Sequence, residues 1–308
     1  MEPERSAGTG DGRLALAPEP GVRRMTDDRT VIFLHIGKTA GSTLRQVLKR
    51  QFPSSHLTVR ARQRPRTDTI ADFARLPEED RLRPRLIMGH TVYGLHEGVP
   101  RPCTYVTMLR HPVKLAFSQY RYVRRIPSHH HHEAVKNLTL EEYVASKISF
   151  EMDNSQTRAI AGDLGTPVGE CTDEMLELAK RNLDEHFAWF GLTERFDESL
   201  ILLRRTFGWK DVRYVSRNVS RSRAELTPSQ RELLEQANRL DMELYAYAQR
   251  VMDERIAAED GFAEELERFK RANQRYRTWG RVTYTWPSAI KRRIKPEVRD
   301  LYAEDGGA

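Results

Sequence analysis

An apolar run, Thr30-Val31-Ile32-Phe33-Leu34, passes into His35-Ile36-Gly37-Lys38-Thr39-Ala40-Gly41-Ser42-Thr43 and then into residues spaced as on a helix, Leu44, Val47 and Leu48. One lysine, three small residues and three hydroxyls therefore stand between the end of a strand and the first turn of a helix. Free backbone N–H groups and the positive end of the helix dipole converge at such a junction, which makes it a cradle for an anion. Lys38 adds a compact positive charge suited to a leaving-group oxygen. A second element, Tyr105 to Tyr120, places Arg110 at the end of another apolar run and Ser118 eight residues further on, about two turns along the helix that Pro112 opens. An arginine and a serine converging on one spot suit a second phosphate held by charge-assisted hydrogen bonds.

Gly37-Lys38-Thr39 matches the end of a nucleotide-triphosphatase loop, but that motif requires a glycine five residues before Gly37, and the position is Ile32 within the strand. The triphosphatase loop is not formed, and the small residues follow the lysine instead.

These residues need a scaffold that brings two strand ends to one crevice. Short apolar runs at 30–36, 85–88, 104–109, 187–192 and 212–215 read as strands, the near-continuous ones as strands covered on both faces. Helical spacing is predicted at 42–51, 68–76, 113–125, 139–147, 150–161, 172–186 and 228–257, the last opened by the capping box Thr227 and Gln230 with Pro228 at its first position. The Arg-rich, Pro-interrupted stretch 52–85 reads as connection. Strands alternating with helices predict an α/β fold in three layers, a central, mainly parallel sheet flanked by helices. Residues 1–28 read as a disordered leader, 29–260 as the folded domain and 261–308 as a basic, aromatic helix and tail.

In 308 residues, 39% are apolar and 31% charged, the composition of a soluble globular protein rather than a collagenous, disordered or disulfide-stapled one. Cys103 and Cys171 have neither metal-ligand nor redox spacing and are expected to be small fillers. Neither a membrane span nor a secretory signal is readable, so the expected location is cytoplasmic and an anchored Golgi-type architecture is disfavoured. The formal charge of +7 is uneven: residues 29–136 carry +13, 137–265 carry −10 and 266–299 carry +9.

At this point the chain resembles the sulfotransferases, and among them the family of heparan sulfate and chondroitin uronyl 2-O-sulfotransferases. HIGKTAGST is similar to that family's 5′-phosphosulfate loop and LRHPVKLAFSQY to its 3′-phosphate element. Ile87-Met88-Gly89-His90 is similar to its Gly-His turn, whose histidine is the catalytic base. Asp153-Asn154-Ser155-Gln156-Thr157-Arg158, Gly191 to Phe196 and Tyr214 to Val219 follow in the family's order, and the likeness covers about residues 30–250. Gly37 stands where the family has a proline before the lysine, and His111 where it has an acidic residue after the arginine.

The resemblance implies a P-loop-like sulfotransferase fold and transfer of a sulfuryl group from 3′-phosphoadenosine 5′-phosphosulfate (PAPS) to an acceptor hydroxyl, that of a glycan by family likeness, with no metal. His90 would be the general base and Lys38 the stabiliser of the leaving oxygen. Lys38, Thr39, Ala40, Gly41, Ser42 and Thr43 would hold the 5′-phosphosulfate and Arg110 and Ser118 the 3′-phosphate, with Arg217 closing over the nucleotide. Arg121, Arg124 and Arg125 either line an anionic acceptor cleft or form a solvated helix face. His35 reads as a core histidine, and His129-His130-His131-His132 as a solvated or acceptor-facing loop rather than a metal site. The alternative is a nucleotide kinase using ATP and Mg²⁺, disfavoured by the missing glycine and by the lack of a strand ending in a metal-binding aspartate. A nucleic-acid binder working through the basic tail is a third class and is not expected.

Overall fold

A computed structural model describes residues 29–59, 68–216 and 225–284. The leader, Arg217 and the tail beyond 284 lie outside the described residues. The elements run β1 (Thr30–Leu34), α1 (Gly41–Gln51), β2 (His56–Val59), α2 (Asp68–Ala74), α3 (Glu78–Leu82), β3 (Leu86–Gly89), β4 (Cys103–Leu109), α4 (Pro112–Arg125), α5 (His132–Val135), α6 (Leu140–Ala145), α7 (Ser155–Ala161), α8 (Asp173–Glu185), β5 (Phe187–Leu192), α9 (Phe196–Phe207), α10 (Pro228–Ala237), α11 (Arg239–Ala257) and α12 (Phe262–Tyr284).

Five strands form one sheet in the order β2-β3-β1-β4-β5, and every pairing is parallel. All residues of β1 and β3 are buried, as a sheet with helices on both faces requires. After β1 the chain lays down β2 and β3 on one side and then crosses to lay β4 and β5 on the other. The carboxyl end of β1 is therefore the topological switch point, where α/β sheets open a crevice. Leu34 is in register with Gly89 of β3 and with Thr107 of β4, so the loops leaving all three strands emerge side by side. A smaller core of Val113, Tyr120, Val123, Val135, Tyr143 and Leu234 seats α4 against α5, α6 and α10.

Four expected elements differ. The fifth strand is β2, inside the stretch read as connection. It is an edge strand with only Leu57 and Val59 buried, so its apolar signal is two alternate residues. Residues 212–215 form no strand although Val212 and Tyr214 are buried alternately. Side chains satisfy that backbone instead: the Tyr214 amide donates to Asn273 Oδ1 at 2.8 Å, and Gln51 Nε2 donates to the Asp211 carbonyl at 2.7 Å. The helices expected at 150–161 and 228–257 are each broken. Asn154 adopts a left-handed φ of 49° before α7, and Asn238 separates α10 from α11. The capping box at Thr227 and Gln230 forms as expected, and both cysteines are half-buried.

Candidate active site

The loop leaving β1 is shaped by local bonds. Thr39 is fully buried and its hydroxyl donates to the Ile36 carbonyl at 2.8 Å, so that side chain builds the loop. Lys38 and Ala40 both sit in the left-handed region, at φ 64° and 61°, a cost of about 1–3 kcal/mol per residue that persists where surrounding structure demands it. No side chain caps α1 and no acidic residue occupies its first turn, so its positive end is unneutralised. Ser42 is exposed there, and Thr43 is buried one residue on.

Arg110 leaves β4 toward the same loop. Its Nη1 donates to the Lys38 carbonyl at 2.9 Å, and its Nε is buried with no hydrogen-bond partner. A buried guanidinium N–H without an acceptor, beside an uncapped helix start, fits an anionic ligand that brings its own oxygens. Ser118 and Tyr122 follow on α4 one turn apart, and Arg125 about one turn beyond. The Lys38 ammonium lies over the Tyr122 ring, 4.2 Å from its centroid. Burial holds the Lys38 pKa below its ordinary value, and the charges of Arg125 and Arg110 add to this against an opposing Glu151.

Of the three arginines read as either an acceptor-cleft lining or a solvated helix face, Arg125 acts on Lys38. Arg124 is turned to the protein, donating to the Lys136 carbonyl at 3.1 Å and to the Tyr120 hydroxyl at 2.8 Å, and Arg121 lies against the Phe117 ring. Removing a cation next to an amine raises the amine's pKa. Arg125→Gln should therefore move the alkaline limb of the transfer rate to higher pH, as read from a kcat–pH profile.

Two segments, quoted above only for their likeness, clamp the turn after β4. Gln156 meets the main chain of Arg110 twice, its Oε1 accepting from the Arg110 amide at 2.8 Å and its Nε2 donating to the Arg110 carbonyl at 2.9 Å. Gln156 is placed in turn by Asp241, which accepts from the amides of Gln156 at 3.1 Å and Thr157 at 2.7 Å. Burial pushes the Asp241 carboxyl upward, and those amides oppose it. Glu194 receives the His111 amide with both oxygens at 3.3 Å, and Thr193 Oγ1 donates to the Leu109 carbonyl at 2.9 Å. Glu194 thus sets a carboxylate against the main chain of His111. Nothing in sequence alone links positions 46 and 83 residues apart; the family likeness was the only signal. Gln156→Leu leaves the Arg110 N–H and C=O unpaired, a cost of about 1–3 kcal/mol each. It should lower the melting midpoint and weaken binding of adenosine 3′,5′-bisphosphate, read by calorimetry.

His90 follows β3 and is exposed, its ring stacked on that of His35 with centroids 4.2 Å apart. With strands about 4.8 Å apart, the loops after β3, β1 and β4 span roughly 10 Å. His90, the Lys38 loop and Arg110 are thus neighbours across the crevice. The His129–His132 segment borders it: His129 meets the Tyr122 ring edge-on at 5.7 Å and stacks on His130 at 4.4 Å. Among the described residues no group of three or more His, Cys, Asp or Glu is placed to hold a metal ion, and no helix is long and apolar enough to cross a membrane.

A family model for galactose-3-O-sulfotransferase matches residues 11–281. The chain belongs to the galactose-3-O-sulfotransferase family. It is 28% identical to human heparan-sulfate 6-O-sulfotransferase 1, across 79% of this chain and 69% of the relative. It is also 28% identical to galactose-3-O-sulfotransferase 3 of Bos taurus, across 74% of this chain and 58% of the relative. Among solved structures, mouse sulfotransferase SULT7A1 complexed with PAP matches 79% of this chain and 89% of its own, at 11% identity and a TM-score of 0.37.

The protein is a PAPS-dependent sulfotransferase. The narrower likeness to the uronyl 2-O-sulfotransferases is corrected: the matches are to a 3-O family and to 6-O relatives. The cytoplasmic location is also corrected, because heparan-sulfate and galactose sulfotransferases are normally enzymes of the Golgi lumen.

Proposed function

We propose that the protein transfers a sulfuryl group from PAPS to a hydroxyl of a carbohydrate, a galactose-containing or heparan-type glycan being the acceptor class that its relatives' names indicate. The observation that carries this reading is the meeting of three strand-end loops at the switch point, where Arg110 reaches back to the carbonyl of Lys38. The donor supplies a sulfuryl group already activated by its anhydride link to phosphate.

The chain's own residues do the rest. The amides of 39–43 and the start of α1 hold the phosphosulfate end, while the free Nε of Arg110 and the Ser118 hydroxyl hold the 3′-phosphate that distinguishes this donor from ATP. His90 takes the proton from the acceptor hydroxyl as that oxygen bonds to sulfur, imidazole being the side chain that titrates nearest working pH. Lys38 places its charge where the departing phosphate oxygen receives the electron pair of the broken S–O bond.

The test is sulfate transfer from labelled PAPS to desulfated heparan-type and galactose-terminated oligosaccharides. The parent should label one of them, and His90→Ala should lose about 10²–10⁴-fold in kcat with bisphosphate affinity intact. A His90→Ala protein working at the parent rate contradicts the assignment of the base.

A further inference from the structure

His35 is the first residue past β1, and its amide donates to the Gly89 carbonyl at 2.9 Å, tying β1 to β3 at the point where His90 leaves the sheet. Its ring is 7% exposed, whereas His90 is exposed. The two rings stack at 4.2 Å with an interplanar angle of 24°, and Phe33 stacks on His35 in turn at 5.1 Å and 18°. The His35 ring also meets α1. A Cβ on Gly41 would lie 2.0 Å from His35 Nε2 and 2.1 Å from its Cδ2, so the first residue of α1 must be glycine for the ring to lie there. One buried side chain thus touches both the start of the anion-binding helix and the exposed histidine of the neighbouring strand end.

We propose that His35 is a positioning residue, a buried ring platform that fixes the orientation of His90. The proposal rests on the reading of His90 as the base. An exposed histidine on the turn after a four-residue strand has several staggered rotamers open to it. A flat aromatic face at stacking distance restricts it to one, and an aromatic face is attractive to an imidazole that becomes cationic when it takes a proton. An aliphatic core residue would fill the space without either effect.

The test separates ring face from bulk and from donor binding. His35→Gln keeps length and hydrogen-bonding groups but has no ring, and should lower kcat about 10–100-fold, the scale of a displaced reacting group. Affinity for adenosine 3′,5′-bisphosphate should stay within about 2-fold, since His35 acts through His90. His35→Phe should restore most of the rate. In a His90→Ala background His35→Gln should add no further loss, because the two residues act as one unit.

A parental kcat for His35→Gln overturns the platform, and so does an equal loss in both backgrounds. Parallel loss of rate and bisphosphate binding, or failure of His35→Phe to restore rate with binding intact, overturns it as well. A His90→Ala protein at the parent rate overturns the base reading and the platform together, whereas an inactive His90→Ala with a parental His35→Gln overturns the platform alone.

Discussion

Lys38→Ala is expected to lower kcat for sulfate transfer by about 10²–10³-fold, the loss seen when one preorganised donor to a developing oxyanion is removed. Three features set the size of the effect. Lys38 is held in a left-handed backbone conformation, φ 64°, that glycine would adopt without strain. A lysine at such a position implies that its amine matters more than the relaxation glycine would bring. Its ammonium is partly desolvated over Tyr122, where charge acts at lower effective dielectric. In the role proposed for it, Lys38 meets a group that becomes fully charged only as the S–O bond breaks, so the loss should fall on kcat and much less on KM. Lys38→Arg should rescue poorly, because a planar fork cannot replace a compact ammonium in the place beside Tyr122. Single-turnover rates with and without saturating acceptor check both variants.

Asp153→Ala is expected to destabilise the fold by about 3–5 kcal/mol, the usual result of leaving one member of a buried ion pair without its partner. Arg158 is fully buried, and its Nη2 lies 2.5 Å from Asp153 Oδ2. Its remaining donors reach the Asp153 carbonyl at 3.0 Å, the Thr166 carbonyl at 2.6 Å and the Pro167 carbonyl at 2.8 Å. Asp153 also accepts from the Gly169 amide at 2.9 Å and from Asn154 Nδ2 at 2.8 Å. Removing the carboxylate takes the counter-charge from a buried guanidinium and an acceptor from two N–H donors together. For a domain of this size the melting midpoint should fall roughly 10 °C, at about 2–4 °C per kcal/mol. Asp153→Asn keeps an acceptor and should cost less. A urea midpoint for Asp153→Ala equal to the parent's would contradict this account of the network.

The strand–loop–helix junction at 35–43 and the Arg110 turn were legible as structure because their signals are local: a covered strand, a lysine among small residues, and a proline at a helix start. Breaks in helical pattern were legible in principle at Asn154 and Asn238, since asparagine tolerates left-handed φ and competes for backbone groups. What was not legible depends on partners far away in sequence. Asn238 breaks its helix because its side chain serves Asn154 and the Met152 carbonyl, more than 80 residues back. Gln156 and Glu194 act on the turn after β4 only once the sheet has brought them there. His35 shows the same limit: its buried strand-end position marked a core residue, and only the fold reveals the ring it stacks on. The +13 segment holds the β1 loop, Arg110 and Arg125, and the charges of both arginines act on Lys38.

The most direct test of the donor site is a calorimetric titration comparing adenosine 3′,5′-bisphosphate with AMP, which lacks the 3′-phosphate, on the parent and on Arg110→Ala and Ser118→Ala. The parent should prefer the bisphosphate by about 100-fold, two charge-assisted hydrogen bonds at roughly 1.5 kcal/mol each, and either substitution should cut that preference to about 10-fold. Equal affinity of the parent for the two nucleotides, or an undiminished preference in both variants, would contradict the site.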